Sequence, residues 1–349
     1  MLRPARGLWR TGNVMLGSIL VSLVLDGPCL LPQVSKGFAA EATEFNVGIL
    51  ASRGGAIPLW TAEAAGLWAQ RGIRLQAIFI EGGTRGIQVL LSGEIQALVV
   101  GLGPLLQANS RGADLRVITS TANTVPFIFF SVREVKTASD LRGGTIGVSR
   151  FGSESDVALN LALKQLGLTR KDVVVTQIGG NSVRLAALLS GRIKATPILE
   201  PQISAAREQG LNPLVDFAAA KVPWIFDAVV VRRSYLDGRR ELVTQFLRAF
   251  IEGAFLAFAN ENLAKEVIAA KLKTADRRLV NATYNEFKRL MSLDPEPPRA
   301  GAENTIEQLQ AIGISTSSKN LEDHLDSHIV QALKKEGFLA ELTRKYKIP

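Results

Sequence analysis

Residues 80–97 read IEGGTRGIQVLLSGEIQA, and residues 178–195 read IGGNSVRLAALLSGRIKA. The two stretches stand 98 positions apart and agree at eight of eighteen positions: Ile80/Ile178, Gly82/Gly180, Leu90/Leu188, Leu91/Leu189, Ser92/Ser190, Gly93/Gly191, Ile95/Ile193 and Ala97/Ala195. Each copy has the same order of parts: a strand end, a glycine turn, a helical run with paired leucines, a Ser-Gly stop and a new apolar strand. A unit of this length seen twice is not a solenoid array. It predicts two α/β lobes built on one plan. Any two strand–helix–strand units share apolar spacing, and that accounts for the leucines. It does not account for Leu-Leu-Ser-Gly-x-Ile-x-Ala in both copies.

The surrounding sequence extends the pattern. Glu44–Leu50 (EFNVGIL) reads as a first strand, and Pro58 suits a helix start, where its missing N–H costs nothing. Trp60, Ala64, Leu67 and Trp68 fall on one helical face, and Gly72 is expected to end that helix. Arg74–Ile80 reads as the next strand, and Ile95–Val100, bounded by Gly101, as a strand buried on both faces. Thr121–Ser131 is extended, because Pro126 biases Val125 away from helix. Thr145–Val148 and Phe226–Val231 are further strands, and the chain beyond Ser234 is mostly helical. Alternating strands and helices at this spacing give mostly parallel sheets flanked by helices. Two such lobes joined by extended crossings form a clamshell with a cleft between them.

Composition narrows the function. The chain has 349 residues, 47% apolar and 21% charged, with one cysteine, two histidines and a formal charge of +9. Those values describe a folded chain rather than a disordered one, and one cysteine excludes a disulfide scaffold or a cysteine-built metal centre. Arg3, Arg6 and Arg10 precede an apolar stretch, Val14–Leu25, and Ala40-Glu41-Ala42 offers a small-residue cleavage site. Residues 1–42 are therefore expected to be a secretory signal peptide, which places the mature protein in the periplasm. Their removal takes away four basic and two acidic residues, so the charge becomes +7, and it also removes Cys29. Export argues against nucleic acid as a partner. The basic residues agree, since they lie in scattered pairs such as Arg232-Arg233 and Arg277-Arg278 without interleaved aromatics.

In open α/β sheets ligands bind beyond the carboxyl ends of the strands, where helix starts offer unpaired N–H groups to anions. Five loops qualify. They supply Ser52, Arg53 and Gly54; Gly83 and Thr84; Gly101 and Gly103; Arg150, Gly152 and Ser153; and Asn181 and Ser182. Arg53 and Arg150, each just past a strand end in a different lobe, are placed to clamp one anion between them. Asn123 and Thr124 lie at the crossing between lobes, Glu200 follows the strand of the second repeat, and Trp224 is a candidate wall. His324 and His328 stand four apart on an expected helix, with the apolar face Leu321, Leu325 and Ile329 turning them to solvent. No third ligand accompanies them, so no metal is expected, and no cofactor either.

Five segments carry a family resemblance: Ile57–Ile73 (IPLWTAEAAGLWAQRGI), Leu91–Pro104 (LSGEIQALVVGLGP), Gly112–Ile118 (GADLRVI), Ala138–Val148 (ASDLRGGTIGV) and Leu188–Pro201 (LLSGRIKATPILEP). Together they resemble the substrate-binding proteins of ABC transporters, in the NMT1/THI5-like group that includes nitrate-, sulfonate- and taurine-binding proteins. The resemblance implies the type II periplasmic-binding-protein clamshell. Lobe I would hold residues 43–125 with 231–349, and lobe II residues 126–230. It also implies capture of a small, anionic organic solute (sulfonate-, nitrate- or carboxylate-like), delivery to an ABC permease, and a monomeric protein. The chain departs from the yeast-type THI5 enzymes, which use a lysine and a histidine around pyridoxal phosphate and a cysteine-rich motif. It has no cysteine beyond residue 29, and its histidines lie only at 324 and 328. Two other readings stay open: an exported enzyme on the same fold, for which Glu154 and Asp156 are the nearby carboxylates, and a periplasmic sensor or adaptor for a membrane signalling protein.

Overall fold

Two five-stranded sheets organise the chain in this computed structural model, which describes residues 42–348 apart from 51–53, 218, 220, 221, 312, 317 and 319. The expected leader, residues 1–42, lies outside the described residues except for its last one. The first pass of the chain runs β1 (Thr43–Ile49), α1 (Ile57–Ala64), α2 (Leu67–Gln70), β2 (Ile73–Phe79), α3 (Gly83–Ser92), β3 (Ala97–Val100), α4 (Leu102–Asn109) and β4 (Leu115–Thr124). The second runs β5 (Ile128–Ser131), β6 (Thr145–Val148), α5 (Glu154–Gln165), β7 (Val174–Gln177), α6 (Asn181–Leu189), β8 (Ala195–Ile198), α7 (Gln202–Glu208) and β9 (Asn212–Asp216). The chain returns along β10 (Pro223–Arg232). It ends in helices α8 (Arg233–Gly238), α9 (Arg240–Ala259), α10 (Glu261–Leu272), α11 (Arg277–Leu290), α12 (Arg299–Ala311), α13 (His328–Lys335) and α14 (Phe338–Lys345).

The internal repeat is a structural repeat. β3 and β8 keep the 98-residue offset at both ends, and α3 and α6 precede them. Both helices stop in the same way: Gly93 (φ 90°) and Gly191 (φ 70°) take the left-handed conformation that a side chain resists. The preceding serines also act alike. Ser92 Oγ donates to the Val89 carbonyl at 2.9 Å, and Ser190 Oγ to the Ala187 carbonyl at 3.1 Å.

The sheet orders are β2-β1-β3-β10-β4 and β7-β6-β8-β5-β9. In the first, β10 runs antiparallel to both β3 and β4; in the second, β5 runs antiparallel to both β8 and β9. Each sheet thus has four strands in one direction and one against, the one being the strand that arrives from the other lobe. This moves the expected lobe boundary. β10 begins at Pro223, opposite Thr124, so residues 223–230 belong to the first sheet rather than to the second lobe. The strand is buried on both faces. Val229 and Val231 face a core that contains Phe246 and Phe250, while Ala228 and Val230 face the core that contains α4 and α5 residues.

One expected helix is two. Gly66 (φ 68°) breaks the run between α1 and α2, so Trp60 and Trp68 reach the same core from separate helices. That core is built on α9. Phe246 stacks on Phe45 (4.5 Å between ring centroids) and on Trp68 (5.4 Å). Burying each such aromatic ring contributes roughly 1.5–3 kcal/mol. α9 is long and apolar enough to cross a membrane by length and composition, but here it is mostly buried as a core helix.

Candidate functional site

A cavity of about 550 Å³ opens between the lobes, at the carboxyl ends of the parallel strands. Its walls come from the turn before α3 (Glu81, Gly82, Gly83), the start of α4 (Gly101, Pro104), the loop and first turn of α5 (Ser149, Ser153, Glu154, Ser155), the start of α6 (Gly180, Asn181, Ser182, Arg184) and the turn into α7 (Leu199, Glu200, Pro201, Gln202). The cavity lies at the end of both sheets that the topological rule singles out. The deep apolar side was not anticipated. Phe127, on the outgoing crossing, and Phe226, in β10, meet edge-on with centroids 5.6 Å apart, and Leu50 and Phe79 join them.

The polar groups are mostly engaged. Asn181 donates to the Leu199 carbonyl at 2.9 Å and accepts from the Leu199 N–H at 3.1 Å, so it pins the turn after β8. Ser182 Oγ accepts from Gln202 Nε2 at 3.0 Å. Glu200 caps the start of α7, accepting from the Ser204 N–H at 3.2 Å and from its hydroxyl. Ser149, Ser153 and Ser155 form a hydroxyl cluster with Oγ separations of 2.7–3.0 Å.

Arg184 is the one cation among the described lining residues, and it was missed from the sequence. Only 3% exposed, it donates to the carbonyls of Gly179 (2.8 Å) and Pro197 (3.2 Å) and to Asn181 Oδ1 (3.3 Å). Burial pushes its pKa down to about 10, so it stays charged at neutral pH. A signal existed: Arg184 shares a helical face with Ala187 and Leu188 at i+3 and i+4, which marks it as buried.

Of the residues picked from the sequence, Gly83, Gly101, Ser153, Asn181, Ser182 and Glu200 are brought together on the cavity wall. Ser52 and Arg53 lie outside the described residues. Gly54 is instead packed on the Phe287 backbone of α11. Thr84 is off the wall with its hydroxyl buried. Thr124 Oγ1 donates to the Val222 carbonyl at 3.0 Å and so serves the crossing backbone, while Asn123 Oδ1 accepts from the Ser120 hydroxyl at 2.7 Å. Gly152 (φ 76°) lies against Gln107, and Gly103 against Glu154. Trp224 is buried, with its Nε1 donating to Glu154 Oε2 at 2.9 Å. Arg150 is exposed and does not line the cavity, so the expected two-arginine clamp is not formed by it.

The carboxylate pair of the enzyme reading is also split. Asp156, 1% exposed, accepts from the Gly152 N–H at 2.9 Å and pairs with Arg170 at 2.7 Å, while Glu154 reaches the other lobe.

The histidine reading needs correcting as well. His324 is not on a solvent-facing helix. It ends a short 3-10 turn, is 1% exposed, and its Nδ1 lies 3.1 Å from Asn109 Nδ2. Its Nε2 faces the Ser318 carbonyl at 3.1 Å and so carries the proton. His328 starts α13 in solvent. No group of potential metal ligands occurs among the described residues. Desolvation, with Arg116 adding to it, holds the His324 pKa below 6.5 against the opposing pull of the Ser318 carbonyl and Asp323. The neutral ring is the folded form, so the unfolded chain takes up the proton first as the pH falls through 6.5. The melting temperature is therefore expected to fall as the pH drops below 6.5, by no more than about 3 °C per pH unit, since one group contributes at most about 1.4 kcal/mol per unit. His324→Gln flattens that slope; an unchanged slope in the variant would contradict this account.

A family model described as NMT1/THI5 like matches residues 55–264. The chain belongs to the NMT1/THI5-like family. This NMT1/THI5-like chain is 31% identical over 216 residues to the riboflavin-binding protein RibY of Chloroflexus aurantiacus, a match covering 59% of this chain. The match spans 60% of that relative's length. The structure is similar to the periplasmic aliphatic sulphonate-binding protein SsuA of Escherichia coli (TM-score 0.61, 21% identity, 77% of this chain and 85% of that one). It is also similar to the periplasmic nitrate-binding protein NrtA of Synechocystis PCC 6803 (TM-score 0.62, 13% identity, 88% and 90%). These likenesses establish the two-lobed α/β fold of periplasmic binding proteins for the NMT1/THI5-like chain.

Proposed function

We propose that this protein is the extracytoplasmic solute-binding component of an ABC import system, closing its two lobes on a small organic molecule and delivering it to a membrane permease. The observation that carries the reading is the cavity: it lies between two matched lobes, and both lobes supply its walls. A closed state of this kind gains ligand contacts that an open state lacks, which is how a solute drives closure. The expected leader supports an extracytoplasmic location. Binding rather than catalysis is supported by the engagement of Glu154 and Asp156 described above and by the position of both histidines outside the cavity.

For the solute, the described wall favours a neutral or cationic ring over the anion expected from the sequence. Three carboxylates, Glu81, Glu154 and Glu200, face one guanidinium, whose Nη1 and Nη2 already donate to protein oxygens. Phe127 and Phe226 offer aromatic surface. The volume is in the roughly 300–1,000 Å³ range of sites for drug-sized molecules, far larger than nitrate needs. The name of the RibY relative agrees, since riboflavin is a neutral heteroaromatic compound.

Native mass spectrometry of the purified protein, with thermal shift against flavins, pyrimidines, nitrate and sulfonates, tests the proposal. A heteroaromatic ligand at a hundredfold excess over its dissociation constant should add about 2.7 kcal/mol, or several degrees of melting temperature. Stabilisation by nitrate or sulfonates with none by ring compounds would overturn the solute class. Turnover of a bound compound would overturn the binding reading.

A further inference from the structure

The second lobe lends a carboxylate to a helix start of the first. Glu154, the first residue of α5 in the second lobe, accepts from the Gly103 N–H in the first turn of α4 at 2.7 Å and from Trp224 Nε1 at 2.9 Å. Both donors belong to the first lobe. The glycines of α4 make room for this. A Cβ on Gly101 would fall on the Glu154 carboxylate, and one on Gly103 would lie 2.9 Å from its Oε1. Glu81, exposed in the first lobe between β2 and α3, comes close to Gly180, just before α6 of the second lobe, without a hydrogen bond to that helix start.

A glycine-lined helix start facing a cleft is a place where an anionic group of a ligand is held. At the α4 start that place is taken by the protein's own Glu154. The residue type at 154 would serve equally to place charge at the start of its own helix α5. That role needs no bond to the other lobe, and Glu154 makes two.

Building on the solute-binding reading, we infer that Glu154 is a specificity-determining internal counter-anion. It clasps the lobes together and denies the α4 start to any sulfonate, carboxylate or phosphate group of a solute. Removing it has two separable consequences: the ligand-free lobes lose a bond that draws them closed, and the α4 start becomes available to an external anion.

The experiment compares wild-type protein with Glu154→Ala. Small-angle scattering and dye pairs on the two lobes report lobe separation without ligand, while thermal shift with methanesulfonate reports anion binding. Two hydrogen bonds to an ionised group justify an expected fall of about tenfold in the closed population of Glu154→Ala. Methanesulfonate, at concentrations that leave the wild type unmoved, should stabilise the variant. Gly101→Ala provides a second route, because its methyl group displaces the carboxylate without removing its charge; it should open the lobes and gain no methanesulfonate binding. If Glu154→Ala does not fold, Glu154→Gln replaces it: one face of the amide can still accept, but its NH₂ opposes either the Gly103 or the Trp224 donor, and the lobes should again open. Unchanged lobe separation in these variants overturns the clasp. Methanesulfonate binding of equal strength in wild type and Glu154→Ala overturns the specificity role. The scattering arm uses no ligand, so failure to find a solute for this protein leaves the clasp result intact.

Discussion

Arg184→Met is expected to destabilise the protein by about 2–4 kcal/mol, lowering the melting temperature by roughly 5–10 °C, and to remove solute binding. The guanidinium ties together three segments that shape the cavity: the turn at Gly179, the end of β8 at Pro197, and Asn181, which itself pins Leu199. Methionine has similar length and suits the apolar surroundings, so packing is largely kept. What is lost is the donor to the Gly179 and Pro197 carbonyls and to Asn181 Oδ1, which keeps its bond from the Leu199 N–H; a buried acceptor left without a partner costs about 1–3 kcal/mol. Part of that is offset because a desolvated charge disappears with the arginine. Arg184→Lys should recover only a fraction, since a compact ammonium cannot offer a planar fork to oxygens on separate segments. Thermal and urea denaturation of the two variants check this. A shift under 1 °C for Arg184→Met would show that the bonds contribute nothing.

Gly253→Leu is expected to prevent stable folding. Gly253 sits in the middle of α9, where glycine is about 1 kcal/mol worse than alanine for helix formation. It persists there because α1 crosses at that point. A Cβ on Gly253 would fall on the Pro58 carbonyl oxygen and lie 2.8 Å from the Ala62 Cβ. Backbone meets backbone, so no side-chain rotation relieves the contact, and the helices must separate. The stacked rings of Phe45, Trp68 and Phe246 would separate with them. Gly253→Ala is the graded test. Propensity alone makes it stabilising, whereas overpacking makes it destabilising by about 1–3 kcal/mol. A raised melting temperature for the alanine variant would contradict the packing argument.

Much of the architecture is legible in the repeat. Leu-Leu-Ser-Gly specifies a helix with a left-handed stop, and the strands on either side follow, because glycine and apolar periodicity are local signals. The direction and partner of a strand are not local. FDAVVV, residues 226–231, reads as buried but says nothing of its sheet, so a boundary at residue 230 leaves most of β10 with the second lobe, whereas the strand pairs with β3 and β4. The site shows the same division. Glycine and serine loops at strand ends point to the cavity, and six of the chosen residues line it. Which polar atoms are already engaged depends on residues far away in sequence, as with Asn181 and Leu199 or Thr124 and Val222. Arg150 looked suitable by position and is exposed. Arg184 looked like an ordinary helix residue, although the first copy of the repeat has Gly86 at the matching position, packed under Leu98. His324 was misplaced because apolar spacing at 321, 325 and 329 implied one helix. The segment instead folds as a turn that bridges Leu325 to Val117.

The paired crossings have a mechanical consequence. The chain leaves the first sheet after Thr124 and re-enters it at Pro223, and these two residues face each other, with the Thr124 hydroxyl bonded to Val222. Two adjacent attachment points favour rotation about the line through them over swivelling about either one. The second lobe is also held away from that line, where α5 packs on α12: Asn160 Nδ2 donates to Gln308 Oε1 at 2.8 Å, and Lys164 pairs with Glu307 at 3.2 Å. The proposed closure therefore has to move α5 against α12 as well as bring Glu154 to the N–H of Gly103.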